Sequence, residues 1–302
     1  MEKYLNELTE SLSSESIFLN ELMKAHTSFK IGGPAEVLVI PKNVDEVRAA
    51  IKIAKKYEKE VFVTGNGSNL LFSDDGFKGM IIKIQDTFCD VEINDNKVRA
   101  GAGVLLSRLS KEIMQRELKG FEFASGIPGT LGGAVYMNAG AYGGEMKDVV
   151  SSVKAISMSG DIVELCTNEL CFGYRKSAIQ EKGYIVLEVE MEFEKGNYDE
   201  IKEVIDDLTV KRTTKQPLHL PSAGSTFKRP PNNFAGKLIQ DAGLKGVRFG
   251  DAQVSDKHCG FVVNLGNATA KDVNTLIEFV QKVVYDKFDV KLETEVKIIG
   301  GQ

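Results

Sequence analysis

The sequence predicts an α+β protein made of three consecutive units. The period-two alternation of apolar and acidic residues over 187–194 is typical of a half-buried strand. Apolar residues at helical spacing indicate amphipathic helices, as in the set Val47, Ala50, Ile51 and Ala54. The chain has 302 residues and no internal repeat, and this length suits two or three domains. We place the units at residues 1–86, 87–195 and 196–302.

The first two units combine strands and helices with two glycine-rich segments. In the first unit, strands are predicted at Val37–Ile40, Val61–Thr64 and Met80–Ile84. In the second, the pattern predicts a strand at Val98–Ala100, a helix at Leu105–Glu117, and a strand pair at Val153–Met158 and Ile162–Leu165. The uncharged segment before that strand pair, residues 125–143, is rich in glycine and predicts a long loop.

The third unit begins and ends with regular patterns. Helical spacing predicts an apolar stripe formed by Ile201, Val204, Ile205 and Leu208. Thr269 followed by Asp272 resembles a capping box, which predicts the start of a long helix. The apolar face of that helix comprises Val273, Leu276, Ile277, Val280 and Val284. A final strand is predicted at Val290–Ile299, with Glu293, Glu295 and Lys297 on one face.

Composition excludes several classes of function. The net charge is −5, whereas nucleic-acid-binding proteins normally have a basic excess, so we expect no nucleic-acid partner. The first residues lack the apolar region of a signal peptide, and no apolar stretch approaches the roughly 20 residues that span a bilayer. We therefore expect a cytoplasmic protein with no membrane partner. The four cysteines form no C-x-x-C pair and have no histidine at zinc spacing, so we expect free thiols and no metal site.

A glycine turn, Gly65-Asn66-Gly67-Ser68-Asn69, directly follows a predicted strand. Such a turn can present backbone N–H groups to an anion, and a diphosphate is the natural ligand. The alternative is a plain tight turn, which a lone G-x-G pattern favours. Leu70 stands where a dinucleotide-binding fingerprint needs its third glycine, and no Gly-Lys-Ser/Thr follows to make a P-loop.

The other candidate segments each have a plain structural alternative. Residues 125–143 would let a flat ligand pack against the backbone, or they form a cluster of turns. Ser225 stands on a glycine turn near Lys228 and Arg229, but a lone serine is more often a surface hydroxyl, and G-x-S-x-G is absent. Arg175 in its polar turn, and the glutamates of the last strand, have the alternative of being solvated charges.

In series, these segments resemble one family, the UDP-N-acetylenolpyruvoylglucosamine reductases, also called UDP-N-acetylmuramate dehydrogenases. The resemblance covers residues 27 to 300, and the set in this order is specific. The matching segments are Thr27–Ala35, Gly65–Leu71, Gly126–Gly129, Met137–Gly143, Tyr174–Ser177, Ala223–Lys228, Gly243–Gly246, Lys257-His258 and Leu292–Val296. The chain is similar to the shorter type of the family, because it has no room for the tyrosine-bearing loop of the longer type. Arg229 is a departure, since some members carry Asn there.

The resemblance implies two N-terminal α/β domains that bind FAD in the manner of the vanillyl-alcohol-oxidase type, and a C-terminal α+β domain that binds the substrate. It implies NADPH as reductant and a UDP-amino-sugar enolpyruvate as substrate, in peptidoglycan precursor synthesis. The implied catalytic residues are Arg175, Ser225 and Glu295. The implied flavin-binding residues are Gly65, Asn66, Gly67, Ser68, Asn69, Leu70, Ser125, Ile127, Pro128, Gly129, Gly132, Gly133, Asn138, Ala139 and Gly140. The residues implied to lie near the UDP-sugar or the NADPH phosphates are Arg212, Lys215, Arg229 and His258.

The implied roles follow the charge that develops in the substrate. Hydride addition to the β-carbon of the enolpyruvyl group leaves negative charge at the α-carbon and the carboxylate. Arg175, and Glu295 if protonated or acting through a hydrogen bond, would stabilise that charge. Ser225 would give the proton to the α-carbon. Two alternatives stay open at this point: another flavin oxidoreductase of the same fold, and a non-catalytic module that binds flavin or a nucleotide sugar.

Overall fold

The computed structural model describes residues 2–301, and these form two compact units. Unit 1 holds the described residues up to Leu19, together with Val37–Asn66 and Gly79–Lys211. Unit 2 holds Asn20–Glu36, Gly67–Lys78 and the described residues from Arg212 onward. This grouping differs from the three consecutive ranges drawn from the sequence, because one apolar core joins residues of the first two ranges. The three-way division stays a prediction.

The described helices and strands follow a mixed order along the chain. The α-helices are α1 (Glu2–Ser11), α2 (Val44–Lys56), α3 (Leu106–Gln115), α4 (Leu131–Tyr136), α5 (Ala178–Lys182), α6 (Tyr198–Lys215), α7 (Ala235–Asp241) and α8 (Ala270–Phe288). The strands are β1 (Ile17–Leu22), β2 (Pro34–Val39), β3 (Val61–Thr64), β4 (Leu70–Phe72), β5 (Phe77–Lys83), β6 (Val91–Asn94), β7 (Lys97–Gly101), β8 (Leu118–Lys119), β9 (Gly140–Ala141), β10 (Gly144–Glu145), β11 (Val150–Ile156), β12 (Ile162–Cys166), β13 (Ile185–Glu192), β14 (Glu194–Lys195), β15 (Arg248–Phe249), β16 (Ala252–Val254), β17 (Val262–Asn264) and β18 (Lys297–Ile299). Short 3-10 helices occur at Ser14–Ser16, Met23–His26, Asp86–Phe88, Glu122–Ala124 and Met146–Asp148.

Unit 1 is built around an antiparallel sheet of strand order β12-β11-β13-β7-β6. The predicted alternation is confirmed in β13, where Val189 and Met191 are buried and Glu192 is exposed. In a second sheet, of strand order β1-β2-β5-β3, strand β3 pairs in parallel with β5. The stripe on α2 is buried as predicted, and the side chain of Asn43 caps the helix by accepting from the N–H of Glu46. These elements share one apolar core.

Unit 2 has its own core, formed mainly by α7, α8 and the antiparallel sheet β15-β16-β17. The predicted capping box is confirmed, since the Thr269 hydroxyl accepts from the N–H of Asp272 at 3.1 Å and the Asp272 carboxylate accepts from the N–H of Thr269 at 3.0 Å. The predicted apolar face of α8 is buried. Strand β18 pairs in parallel with β4, which attaches the chain end to residues 70–72.

Three sequence-based expectations are wrong in detail. The last strand covers only Lys297–Ile299, because residues before it make a single bridge, Thr294 to Phe227, instead of a continuous ladder. The stripe on α6 is only partly covered, with Ile201 buried but Val204 47% exposed. The segment 125–143 is not one loop, since it contains α4 and β9.

Across residues 2–301, no helix combines the length and apolar character that crossing a bilayer needs.

Candidate functional site

The glycine turn, Gly65–Asn69, leaves backbone donors available. Within the described chain, the N–H groups of Gly65, Asn66, Gly67 and Ser68 donate to no protein acceptor. Gly67 has a φ of 63°, and a Cβ there would lie 2.1 Å from the carbonyl oxygen of His26, so the position requires glycine. A run of unpaired backbone donors is the chemistry that recognises a phosphate.

In unit 1, the start of the glycine turn meets the second glycine-rich segment. The side-chain amide of Asn66 donates to the carbonyl oxygen of Pro128 at 2.7 Å. A Cβ on Gly65 would lie 2.2 Å from the hydroxyl oxygen of Thr130. The structure thus brings together two segments that the sequence assigned to flavin binding. Gly132 allows close packing, because a Cβ there would lie 2.9 Å from the Cβ of Ala102, the residue directly after β7.

Asn138 is fully buried, and its side chain is bonded throughout to protein groups. The side-chain nitrogen donates to the Glu145 carboxylate at 2.6 Å and to the carbonyl oxygen of Gly173 at 3.0 Å. The side-chain oxygen accepts from the N–H of Lys147 at 2.9 Å. Its backbone φ of 44° lies in the left-handed region that asparagine tolerates better than most residues. These partners leave only the backbone of Asn138 for the predicted flavin contact.

Arg175 lies in unit 1 on a four-residue turn, Gly173–Lys176, hereafter the arginine turn. The turn is closed by backbone hydrogen bonds between Gly173 and Lys176 in both directions, at 3.0 and 3.2 Å. Arg175 itself has a φ of 55°. Its guanidinium donates to the carbonyl oxygen of Gly140 at 3.3 Å and lies 5.0 Å from the ring centroid of Tyr174. The arginine turn and strand β9, which begins at Gly140, are therefore neighbours.

Ser225 lies in unit 2 and is exposed at the start of a segment, Ser225–Lys228, hereafter the serine segment. Gly224 before it has a φ of 73°. The next residue, Thr226, is buried, and its N–H donates to the carbonyl oxygen of Gly260 at 2.8 Å. The Thr226 hydroxyl accepts from the N–H of Val262 at 2.9 Å. The exposed hydroxyl of Ser225 thus stands on a firmly bonded backbone.

Glu295 is held beside the serine segment by main-chain hydrogen bonds. Its N–H donates to the carbonyl oxygen of Thr226 at 2.8 Å, and its carbonyl oxygen accepts from the Asn69 side-chain amide at 3.0 Å. Glu293 differs, since its side chain is 73% exposed and its carboxylate pairs with Lys228 at 3.0 Å. The structure therefore brings Ser225 and Glu295 into one arrangement of unit 2, and it binds the Asn69 side chain to that arrangement.

The candidate phosphate-binding residues of unit 2 lie in different surroundings. His258 is half-buried, and its Nδ1 accepts from the N–H of Gly260 at 3.1 Å, so a neutral ring carries its proton on Nε2. Burial lowers the pKa of His258, and the positive charge of Lys215 lowers it further. The guanidinium of Arg229 lies 4.1 Å from the ring centroid of Phe234. Arg212 is half-buried near the end of α6.

Sequence reasoning missed the residues that fasten these groups. Glu145 binds the side chain of Asn138, and the carbonyl oxygen of Thr226 binds the N–H of Glu295, yet the sequence assigned neither residue a role. The one available signal was Glu145 followed by Asp148, which form a capping box in the structure. Thr226 lies within the matching segment Ala223–Lys228, but its hydrogen bonds join residues distant in sequence and leave no local pattern.

Comparisons with known proteins agree with these features. The FAD binding domain model matches residues 35–166, and the model of the UDP-N-acetylenolpyruvoylglucosamine reductase C-terminal domain matches residues 216–299. The UDP-N-acetylenolpyruvoylglucosamine reductase of Alkaliphilus oremlandii is 57% identical over 295 residues, 98% of this chain and 97% of the relative. That of Clostridioides difficile is 54% identical, over 98% and 97% of the two chains. The crystal structure of the reductase from Thermus caldophilus superposes with a TM-score of 0.81 at 37% identity, over 93% of this chain and 98% of that one.

Proposed function

Because the chain belongs to the UDP-N-acetylenolpyruvoylglucosamine reductase family, we propose that Arg175, Ser225 and Glu295 are the catalytic residues of its reaction. The protein is an FAD-dependent oxidoreductase that uses NADPH to reduce UDP-N-acetylglucosamine enolpyruvate to UDP-N-acetylmuramate, in peptidoglycan synthesis. Family membership excludes the two alternatives, another flavin oxidoreductase and a binding module without catalysis. We also propose a cytoplasmic location.

FAD fits the residues of unit 1 and the glycine turn. The unpaired N–H groups of residues 65–68 provide donors for its diphosphate, and the contact between Asn66 and Pro128 joins this turn to the other segment proposed to line the flavin. When bound, FAD supplies the hydride acceptor and donor that links NADPH to the sugar substrate. We propose that the backbone of residues 125–133 and 138–140 packs against it.

Arg175 would bind the substrate carboxylate. A guanidinium forms two parallel hydrogen bonds to a carboxylate and keeps its charge at any working pH, so it would stabilise the negative charge that spreads into that group. The observed contact to Gly140 and the ring of Tyr174 fix the direction of the side chain. Because the Arg175 side chain is already oriented, less entropy is lost when the transition state forms.

Ser225 would give the proton to the α-carbon of the substrate. The single observation that carries this role is its exposed hydroxyl on a backbone bonded through Thr226 to Glu295. Serine is a weak acid, so the strong basicity of the carbanionic substrate drives the transfer. Glu295 would assist in its protonated form, by donating a hydrogen bond to the same developing charge. Lys215, His258, Arg212 and Arg229 supply donors and charge for phosphate groups.

The two half-reactions test this proposal. With Ser225→Ala, we expect normal FAD content and flavin reduction by NADPH at nearly the wild-type rate. Flavin reoxidation by the enolpyruvyl substrate should slow by about 10²–10⁴-fold, the usual contribution of a positioned acid or base. Ser225→Cys should recover part of this loss, because a thiol also donates a proton. Stopped-flow absorbance of the flavin resolves both steps.

A matched substrate control is UDP-N-acetylglucosamine, which lacks the enolpyruvyl group and should leave the reduced flavin unchanged in both proteins. Equal slowing of both half-reactions in Ser225→Ala would contradict the proposal, because it would make Ser225 a shared structural or binding residue.

A further inference from the structure

Asn138 connects the loop after α4 to the arginine turn. Of its three hydrogen bonds, one reaches the carbonyl oxygen of Gly173, the first residue of that turn, at 3.0 Å. The assignment of its two side-chain atoms follows from chemistry: the Lys147 N–H can only donate, so the oxygen of Asn138 faces it. The nitrogen then faces its two acceptors, the Glu145 carboxylate and the Gly173 carbonyl oxygen.

Glu145 strengthens this connection. Its carboxylate accepts from Asn138 at 2.6 Å and is paired with the ammonium group of Lys147 at 2.6 Å. A hydrogen bond to a charged acceptor is stronger than one between neutral groups, and it orients the Asn138 amide. The second N–H of that amide is therefore directed at Gly173.

The arginine turn needs such support. Both Arg175 and Asn138 adopt left-handed backbone conformations, with φ of 55° and 44°. These conformations cost free energy in residues other than glycine and persist where the surroundings impose them. Asn138 is buried, so an unmade hydrogen bond there would leave polar groups without water. A substitution of Asn138 that removes these hydrogen bonds would therefore let the arginine turn change its conformation, and it would not bring the turn into contact with solvent.

We propose that Asn138 is a positioning residue, which fixes Arg175 through the carbonyl oxygen of Gly173. This inference rests on the proposed role of Arg175 and assigns the Asn138 side chain to the arginine turn instead of the flavin. Misplacement of a catalytic group by about 1 Å can slow a reaction by roughly 10²-fold. Asn138 therefore affects the step that uses Arg175 and leaves the NADPH step unchanged.

The test is a double-mutant cycle in the FAD holoenzyme, measured by stopped flow. Asn138→Asp keeps the shape and leaves no N–H to donate to Gly173, because a proton on this buried carboxyl would be shared with the adjoining Glu145 carboxylate. We expect flavin reduction by NADPH within about 3-fold of wild type and reoxidation by the enolpyruvyl substrate slowed about 10–100-fold. In an Arg175→Ala background the same change should cost less than about 2-fold, because residues that act through one another are not additive.

Two further variants separate positioning from general support. Glu145→Gln keeps an acceptor for the Asn138 amide, so the rate of flavin reoxidation should stay within about 3-fold of the wild-type rate. The pair Asn138→Asp with Glu145→Gln restores a donor between positions 138 and 145 but not the donor to Gly173, so reoxidation should stay slow. If Asn138→Asp does not fold, Asn138→Gly, which tolerates the left-handed backbone, takes its place in the cycle.

Three results would overturn the inference. The first is that Asn138→Asp slows reoxidation as much in the Arg175→Ala background as in the wild type, and the second is that the pair with Glu145→Gln reoxidises at the wild-type rate. The third is that Asn138→Asp loses FAD while the holoenzyme that remains reoxidises normally. Normal reoxidation by Arg175→Ala alone would refute the proposed role of Arg175 and the inference with it. If Arg175→Ala slows flavin reoxidation but the Asn138 variants reoxidise at the wild-type rate, only the inference about Asn138 is refuted.

Discussion

Units 1 and 2 hold their proposed catalytic residues by different means. In unit 1, side chains fasten the arginine turn and the residue after it: Asn138 binds Gly173, and the hydroxyl of Ser177 donates to the carbonyl oxygen of Tyr136 at 2.7 Å. In unit 2, the serine segment and Glu295 are joined mainly through the backbone of Thr226. The first arrangement depends on residue identity, and the second persists whichever side chains the joined residues carry. Substitutions of residues around Arg175 should therefore affect its position, whereas substitutions in unit 2 should matter mainly at the proposed catalytic residues, Ser225 and Glu295.

The largest effect expected from this contrast is at Glu295. Glu295→Gln should slow flavin reoxidation by about 10²-fold or more, the usual cost of removing a group that stabilises transition-state charge. Its backbone hydrogen bonds to Thr226 and Asn69 remain, so the fold of unit 2 should be unchanged. Stopped-flow reoxidation and circular dichroism measure the two properties.

Glu293→Gln is the matched control, two residues away. It loses only an exposed ion pair with Lys228, which contributes little, so reoxidation should stay within about 3-fold of wild type. Equal losses in the two variants, or the reverse order, would remove Glu295 from the catalytic set.

A smaller loss is expected from Arg175→Lys. Lysine keeps the charge but cannot form the planar pair of hydrogen bonds, so reoxidation should slow about 10–10²-fold with NADPH reduction unaffected. Lys176→Ala is the control, because that side chain is exposed and paired with Glu181 on the surface. If Arg175→Lys and Lys176→Ala slow flavin reoxidation equally, the geometry of the Arg175 side chain has no special role. The proposed difference between the two units would then be wrong.

Stability should also depend on buried side-chain contacts in unit 1. The Glu46 carboxylate is buried and accepts from the N–H of Lys42 and from the N–H and hydroxyl of Ser13, with a fourth bond from the Ser16 hydroxyl. Burial raises the pKa of Glu46, but these hydrogen bonds outweigh it, and the pKa lies below its ordinary value. Glu46→Gln should lower the free energy of unfolding by about 1.5–3 kcal/mol at pH 7.

The pH dependence follows from the sign of that shift. A lowered pKa in the folded protein stabilises the fold above the pKa of the unfolded carboxyl, and this contribution is lost as pH falls through the folded value. The difference between wild type and Glu46→Gln in urea unfolding should therefore shrink in acid. Glu15→Gln, which loses only an exposed pair with Lys42, should show little difference at either pH. A constant difference would refute the role of the charge.

The smallest effect concerns His258 in unit 2. Burial lowers its pKa below 6.5, and the charge of Lys215 adds to this, so the ring should be neutral at pH 7. The neutral ring favours the folded state above pH 6.5, and this contribution is lost as pH falls through the folded pKa. NMR titration of the ring protons measures the value directly. Lys215→Gln should raise it slightly; a pKa at or above 6.5 in the wild type would show that the ring is solvated.

The sequence by itself determined the elements whose signals are local. The stripe of α2, the strand Val61–Thr64 and the capping box of α8 each lie within a few residues, and side-chain period and capping chemistry act over that range. The motifs also identified the candidate residues and the family, because they depend on residue identity rather than on distance.

Only the tertiary structure decided how those residues are held. Asn69 and Glu295 are 226 positions apart and meet through one hydrogen bond. Residues 290–296 have an alternating pattern, yet they form no continuous ladder because the serine segment offers a single bridge. The link from Asn138 to Gly173 likewise joins two turns 35 positions apart. Such contacts form because buried polar groups must find partners, and which partner is near is a property of the folded chain.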